Sequence, residues 1–426
     1  MVKVGIIGGS GLDDPNLITD YIEKEVDTPY GKPSSRLTCG KINGVDVCIL
    51  ARHGKNHEIY PTGVNYQANI HALKQEGCTH IITTSAVGSL KEEIAPGHLV
   101  FPDQFIDQTK QRKTTFFDKL GEIKHQPMAE PFSEELRNLL IEETKQLSFT
   151  HHTKATIVVI EGPRFSTKAE SFMFKNFADI IGMTTCPECQ LANELEIPYA
   201  SIAMSTDYDC WRDETESVTF EMVMKTMKEN AEKVKQLIIN VLPKIAKKDE
   251  QIIRKSIRTV PDFPKPGIMF RDITTLLLDP EAMKRTINIL YNRYKDKNID
   301  AIAGIESRGF IIAGILADKL ALPLIPIRKP GKLPHETISH EYQLEYGTDK
   351  VEIHKDSINP GQNILLVDDL VATAGTALAA TQLIERLDGR VEEIAFIIEL
   401  KDLNGRKKLE EAGYKIFSII NFEESE

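Results

Sequence analysis

No stretch of this chain is apolar for long enough to cross a bilayer, which excludes an α-helical membrane span. The N-terminal run MVKVGIIGGSG is short and ends in glycines. It reads as an opening strand rather than a secretion signal, so the cytoplasm is the expected location. Cysteine is scarce and one-sided. All six residues (Cys39, Cys48, Cys78, Cys186, Cys189, Cys210) precede residue 211, and none is needed for a disulfide framework. The lone CxxC from Cys186 to Cys189 lacks the second ligand pair of a zinc site, and no role is assigned to it. Positive charge is in deficit, with 52 Lys and Arg against 63 Asp and Glu for a net charge of -11. That argues against broad nonspecific binding of nucleic acid and leaves a local basic groove open. Small anions remain compatible, because a helix terminus holds them without a basic surface. Gly8-Gly9-Ser10-Gly11 follows a strand but lacks the full G-x-G-x-x-G spacing and a ribose-binding acid after the next strand, which argues against a dinucleotide.

What is present is apolar material, 41% of 426 residues, enough to fill ordinary cores in a chain whose length suggests roughly two or three domains. The pattern reads as two α/β domains. In the first, strands at 2–8, 45–51, 79–84, 155–160 and 199–204 are interspersed with helices at 64–76 and 133–146, and a last helix over 218–242 ends near Pro243. The weakly periodic stretch 104–132 is long for a connection and reads as a site wall. The charged run KIAKKDE marks a linker at 244–250 between domains 1–243 and 251–426. The second series has strands at 299–304, 322–327, 363–368 and 393–399, with helices at 280–295, 309–319 and 375–388. No internal repeat relates the halves.

In the first half, polar residues gather at strand ends. Ser10, the pair Arg52-His53, and Ser85 each lie just beyond an apolar segment. Ligands of α/β sheets bind at such carboxyl ends, so these groups can converge on one phosphate, although each alone is an ordinary strand cap. Asp207 and Asp209 follow the strand ending at Met204, and in a strand-like register they share a face. Two nearby acids divide a proton or act as oriented acceptors, which suits a base bearing an amino group. Asp209 can equally cap a following helix.

The segments GIIGGSGLDDP, LARHGKNH, VNYQANI, CTHIITTSAVGSL, PMAEPF, IEGPRFSTKAESFMF and IAMSTDYDCW resemble the 5'-methylthioadenosine phosphorylases, within the trimeric purine nucleoside phosphorylase superfamily. The resemblance covers residues 1 to about 243 and implies a nucleoside phosphorylase fold with a mixed sheet. By it, Ser10, Arg52, His53, Ser85, Ala86 and Thr184 hold phosphate, Met183 lies against ribose, and Asp207 and Asp209 recognise and help protonate adenine. Relatives that prefer 6-oxopurines carry Asn at the first acid. His125, in HQPMAEPF, matches a pocket-side histidine, with an exposed loop residue as the alternative, and Phe220 takes a pocket position where a smaller valine is familiar. Ser10 and Ser85 stand where Thr is common and keep the hydroxyl. The implied reaction needs no metal or cofactor. Inorganic phosphate attacks C1 of 5'-methylthioadenosine while adenine leaves, giving 5-methylthioribose 1-phosphate. The family's usual C-terminal segment, which helps close the methylthio pocket across a subunit boundary, is replaced by the next domain near residue 245. Adenosine therefore competes as substrate.

In the second half, ILLVDDLVATAGT brings Asp368 and Asp369 from an apolar strand into a small-residue loop that can open a helix. The acids suit a diol or a hydrated metal, while Ala372, Thr373, Ala374, Gly375 and Thr376 can wrap a phosphate with N–H groups and hydroxyls. Together with PDFPKPGIMFRDIT, GIESRGF, IRKPGKLP and EYQLEYG, this motif resembles the adenine phosphoribosyltransferases of the type I phosphoribosyltransferase family, over residues 250 to 420. The resemblance implies a mainly parallel sheet. Asp368 and Asp369 would meet the ribose of phosphoribosyl pyrophosphate directly or through hydrated Mg²⁺, and the loop would hold its 5'-phosphate. Arg308, Arg328, Lys329 and Lys332 would face pyrophosphate, with Met269 and Phe270 beside adenine. Glu345 is the candidate acid/base of a mobile lid, and Tyr346 helps exclude water. Ala374 stands where Gly is usual; if the position needs positive φ, Ala imposes strain of roughly 1 kcal/mol or more.

Joined, the halves imply a purine salvage enzyme that releases adenine and then converts it to AMP and pyrophosphate. The trimeric contacts of the first family and the dimeric contacts of the second would close a homo-oligomer, at smallest a hexamer. A weakly active or noncatalytic nucleotide sensor is the alternative for the second half.

Overall fold

Val4, Ile6 and Ile7 of the strand Lys3–Gly8 are fully buried, so both of its faces must be covered. The computed structural model describes residues 2–8, 18–119, 121–212, 219–343 and 348–423 and divides the chain into two compact units, Val2–Lys247 and Lys248–Glu426. In the first unit, Lys3–Gly8 pairs in parallel with Val45–Ala51 on one side and His80–Ser89 on the other. His80–Ser89 is the hub of the sheet. It also pairs in parallel with Tyr199–Asp207 and antiparallel with Ile180–Gly182, so the eleven-stranded sheet is mixed.

Alternate residues of these strands point to opposite faces, and each face has its own core. Ile7, Leu50 and Ile81 pack with Ile70 and Leu73 of the helix Tyr66–Gln75 and Leu191 of Thr185–Glu194. Ile6, Ile49 and Ile82 pack with Leu136 and Leu140 of Glu134–Gln146 and with Leu237 and Val241 of the long helix Phe220–Ser256.

The second unit holds a parallel five-stranded sheet in the order Leu324–Ile327, Ala301–Ile305, Asn363–Val371, Arg390–Leu400, Ile416–Phe422. Its middle strand is buried on both faces, with Leu365 and Val367 in one core and Ile364 and Leu366 in the other. An antiparallel hairpin of Thr337–Gln343 and Thr348–His354 forms a separate ladder, as do Arg258–Val260 and Phe270–Asp272.

The last helix of the first unit does not end near Pro243; it runs unbroken from Phe220 to Ser256, so residues 244–250, which contain the division between the units at Lys247 and Lys248, are helical. Proline cannot donate to the carbonyl four residues earlier, and here that carbonyl, on Ile239, accepts from Asn43 Nδ2 at 3.1 Å instead. Burial on either side of the charged run sustains the helix. Leu242 and Ile245 belong to the first core and Ile253 to a core of the second unit. Cysteine also departs from expectation: Cys39 and Cys48 are register partners on adjacent antiparallel strands, with Cα atoms 4.3 Å apart, and are joined as a disulfide. Among the described residues, no helix is long and apolar enough to cross a membrane.

Candidate functional site

Strand ends of the first unit surround a cavity of about 500 Å³. Arg52 follows Val45–Ala51 and turns into its wall, 3% exposed. Nε and Nη2 donate to Glu188 Oε1 and Oε2 at 2.5 and 3.0 Å, Nη1 donates to the Thr84 carbonyl at 2.9 Å, and Nη2 also donates to the Thr83 hydroxyl. A guanidinium carries five N–H groups, so one, on Nη1, is left uncommitted among the described residues. Glu188 is fully buried and also accepts from the Tyr199 hydroxyl at 3.0 Å.

His53 donates from Nδ1 to the Ile59 carbonyl at 2.8 Å. A carbonyl only accepts, so the neutral ring carries its proton on Nδ1 and presents a lone pair at Nε2. Burial, then the charge of Arg52, hold its pKa down at about 4. Ser85 is 6% exposed and its Oγ has no hydrogen-bond partner among the described residues. An unpaired buried hydroxyl costs about 1–3 kcal/mol, which marks a place for a ligand oxygen. Ala86, Met183 and Thr184 complete this end. Thr184 occupies the N-cap position of Thr185–Glu194 without spending its hydroxyl on the cap.

Asp207 and Asp209 also line the cavity, but they do not share a strand register. Pairing with His80–Ser89 shifts between Ser205 and Asp207, and such a bulge re-aims the side chain beside it. Asp209 then leaves the strand with φ 50°. The Asp207 carboxylate is satisfied, accepting from the Asp209 N–H at 2.8 Å and the Thr206 hydroxyl at 2.7 Å. Burial raises its pKa. Asp209 Oδ1 accepts from Ser166 Oγ at 2.5 Å, while Oδ2 is buried without a hydrogen-bond partner among the described residues. Room for the pair depends on Gly88, where a Cβ would meet Asp207 Oδ1 at 3.0 Å and Asp209 Cβ at 3.3 Å. Val223, Met224 and Met227 add an apolar edge from the long helix.

His125 is exposed and outside the cavity wall; the loop that carries it runs over the surface of its own unit. Ser10 lies outside the described residues, and Phe220 is described by its helical backbone alone. The stretch 104–132 braces the site from behind rather than walling it. Arg112 from this stretch donates to the carbonyls of Met183, Cys186 and Glu161 at 2.7, 2.6 and 2.6 Å and to Tyr66 Oη at 3.1 Å. Sequence reasoning missed Arg112, Ser166 and Glu188. The signal for Glu188 lay inside CPEC, which was weighed only for its sulfur; both cysteines are buried, and burial raises their thiols.

In the second unit a cavity of about 420 Å³ is lined by Arg308, Lys329, Asp368, Asp369, Ala372, Thr373, Ala374, Gly375 and Thr376. Asp368 Oδ1 accepts the Asp369 N–H at 2.9 Å. Burial raises both carboxyls, reinforced at Asp368 by the adjoining Asp369 and opposed at Asp369 by Arg308. Arg308 reaches Asp369 Oδ2 at 2.9 Å as an ion pair outside hydrogen-bonding angles. Gly309 is required beside them, because a Cβ there would lie 2.7 Å from Asp368 Oδ1. Ala374 has φ 68° and ψ 3° at the start of Gly375–Glu385, so the strained conformation is the one adopted.

Arg328 and Lys332 do not reach this cavity. Arg328 is held by Glu306 through contacts of 3.1 and 3.2 Å and donates to the Lys332 carbonyl, while the Lys332 side chain is exposed. Met269 and Phe270 also stay outside it, because Phe270 opens the separate ladder with Arg258–Val260. Arg308 does lie over the Phe270 ring, 5.3 Å from its centroid. Residues the sequence did not single out are Tyr342, which accepts from the Thr376 hydroxyl at 3.1 Å, and Asp349, which pairs with Lys329 at 3.2 Å. Glu345 and Tyr346 lie outside the described residues.

Residues 3–243 match the family model of the phosphorylase superfamily, and residues 273–426 match that of the phosphoribosyl transferase domain. The S-methyl-5'-thioadenosine phosphorylase of Xenopus tropicalis is 54% identical over 264 residues, covering 61% of this chain and 94% of that protein. That of Danio rerio is 54% identical, covering 58% and 90%. Among solved structures, methylthioadenosine phosphorylase from Schistosoma mansoni in complex with adenine aligns with a TM-score of 0.55 at 42% identity, covering 57% of this chain and 92% of that one. A variant of that organism's adenosine/methylthioadenosine phosphorylase in complex with methylthioadenosine aligns with the same TM-score at 41% identity and the same coverage. With strand ends converging on an acid pair and an unpaired hydroxyl in one unit, and an acid pair running into a left-handed loop in the other, the chain belongs to the phosphorylase superfamily over residues 3–243 and carries a phosphoribosyl transferase domain over residues 273–426.

Proposed function

We propose that the first unit cleaves 5'-methylthioadenosine with inorganic phosphate and that the second joins the released adenine to phosphoribosyl pyrophosphate, giving AMP and pyrophosphate. The observation that carries the first reaction is a cavity with a hydroxyl on Ser85 and a buried carboxylate oxygen on Asp209 that have no hydrogen-bond partner among the described residues. One suits a phosphate oxygen and the other an exocyclic amine. Asp207, with its carboxyl raised by burial, is the group suited to share a proton with the departing base. The names of the relatives support the same substrate class.

A methylthio group accords with the edge of Val223, Met224 and Met227, where a hydroxyl would be left without a partner. Adenosine is the second reading, favoured by the solved adenosine/methylthioadenosine phosphorylase.

In the second cavity the N–H groups and hydroxyls from Ala372 to Thr376 hold the donor's 5'-phosphate, and Lys329 and Arg308 take the pyrophosphate. Asp369 Oδ2, buried with Arg308 as its ion-pair partner and without a hydrogen-bond donor among the described residues, and the adjacent Asp368 fit Mg²⁺, a cation that prefers oxygen ligands. The ion would neutralise pyrophosphate as it leaves. The reading includes a cytoplasmic homo-oligomer, for which a sedimentation mass of six chains is the test.

The deciding experiment combines methylthioadenosine, phosphate, Mg²⁺ and phosphoribosyl pyrophosphate with the full chain. AMP only in the complete mixture supports both reactions. Adenine that accumulates without AMP refutes the second, and faster turnover of adenosine refutes the preferred substrate.

A further inference from the structure

The phosphate end of the first cavity is short of positive charge. Arg52 is neutralised by Glu188 within the wall, and Arg112 pairs with Glu161 at 3.1 Å. At the mouth, Arg36 and Lys55 are both paired with Glu23. Among the described residues, the groups that line the space there include the Ser85 and Thr184 hydroxyls, one N–H of Arg52, and His53. The His53 ring gives its Nδ1 proton to Ile59, so its remaining nitrogen carries a lone pair that repels an anionic oxygen. Either the anion brings its own proton, or the ring must take one.

Resting on the reading of this cavity as a phosphate site, we propose that His53 takes a proton from solvent at Nε2 when the anion enters, so that imidazolium supplies the cation that Glu188 cancels at Arg52. One N–H bond forms at Nε2, one proton leaves the buffer, the Nδ1–H bond to Ile59 is retained, and no group is oxidised or reduced. The charged and titratable groups around the ring are Arg52, Arg112 and His57, whose ring centroid lies 4.7 Å away. Lys55 and Glu58 lie on the same turn, and Glu58 accepts the Asn56 N–H at 2.8 Å. The cations and burial keep the free ring neutral, with a pKa of about 4. An opposite charge within reach raises such a pKa by about 1–3 units. A dianion roughly doubles that effect, which raises the ring's pKa well above its ligand-free value.

Sulfate is the decisive probe, because phosphate itself titrates near neutrality. Calorimetric titration of the full chain with sulfate at pH 6, in buffers of different ionisation enthalpy, should show uptake of at least about half a proton per site, with affinity falling as pH rises. His53→Gln, or His53→Asn if the first does not fold, separates this cavity from the anion loop of the second unit. It should abolish that uptake and weaken sulfate by about twofold or more. Glu188→Gln, which frees the charge of Arg52, should reduce the uptake. Sulfate binding that involves His53 without proton uptake overturns the inference. So does a site that takes phosphate and refuses sulfate, because His53 would then be accepting the phosphate's own proton. If neither anion binds, the phosphate reading fails and the inference fails with it.

Discussion

Replacing Ala374 by glycine removes one methyl group from a loop whose conformation is defined, with φ 68° and ψ 3°. An L-residue in this region costs roughly 1–2 kcal/mol, which glycine relieves. Two effects oppose the gain. Glycine adds unfolded-chain freedom worth about 0.5–1 kcal/mol. The methyl is also only 6% exposed, in a cluster with Val371 and Ala377, so its loss removes about 0.8 kcal/mol. The terms nearly cancel, and Ala374→Gly should leave the second unit within about 1 kcal/mol of its original stability. Ala374→Val adds a β-branch at the same φ and should destabilise it by about 2 kcal/mol or more. The one tryptophan, Trp211, lies in the first unit, so its fluorescence is blind to this change; amide exchange along Gly375–Glu385 reads the second unit. Because the backbone need not move, affinity for a phosphorylated ribose should change less than about tenfold. Stabilisation by glycine of more than about 2 kcal/mol would show strain beyond the left-handed cost, and a harmless valine would refute the positive φ itself.

Arg112→Ala should destabilise the first unit by about 3–5 kcal/mol, because it strips donors from several carbonyls and leaves Glu161 without its cation; Arg112→Lys, lacking the fork, should fall between. An exposed-residue-sized loss in thermal denaturation would contradict the bracing role. Asp207→Asn should abolish phosphorolysis while raising the stability of the first unit at neutral pH. The sign follows from the raised folded-state pKa: as pH rises from the unfolded value through the folded one, the wild type gives up stability by ionising a buried acid, and the amide does not. A variant that melts earlier at neutral pH would contradict this. Gly309→Ala places a Cβ 2.7 Å from Asp368 Oδ1 and 3.0 Å from the Val367 carbonyl. Loss of AMP formation with little loss of phosphorolysis is expected, and unchanged AMP formation would show that the loop yields.

Strand-end convergence holds where sheet geometry decides position. Parallel strands put their carboxyl ends on one edge, so Arg52, His53 and Ser85 arrive at one cavity although they are distant in sequence. Strand alternation fails where a local device overrides the repeat: the bulge before Asp207 and the positive φ of Asp209 break the strand register that would have put the acids on one face. The continuous helix through Pro243 was hidden for a related reason, since the carbonyl freed by proline finds Asn43, nearly two hundred residues earlier. Arg328 and Lys332 look like cavity cations from their spacing beside Lys329. The carboxylate that claims Arg328 belongs to Glu306 on the neighbouring segment, and no local pattern announces it.

One rule of charge is common to both cavities and emerges only in three dimensions. Among the described residues, each cation on either wall already has a carboxylate: Arg52 with Glu188, Arg36 and Lys55 with Glu23, Arg308 with Asp369, and Lys329 with Asp349. A buried guanidinium without a partner would cost several kcal/mol before any substrate arrived, so prior pairing keeps the ligand-free walls stable. The consequence is that an incoming phosphate exchanges partners with a resident acid instead of meeting a bare cation. At Arg308 and Lys329 the acids line the cavity themselves, where a bound cation can take them over as the phosphates claim the basic groups. At Arg52 the acid is fully buried, lies outside the cavity lining and already holds three donors, so it is poorly placed for such an exchange. The two units therefore meet one electrostatic problem by different means, and in the first the proposed response is protonation of His53, which lines the cavity beside Arg52.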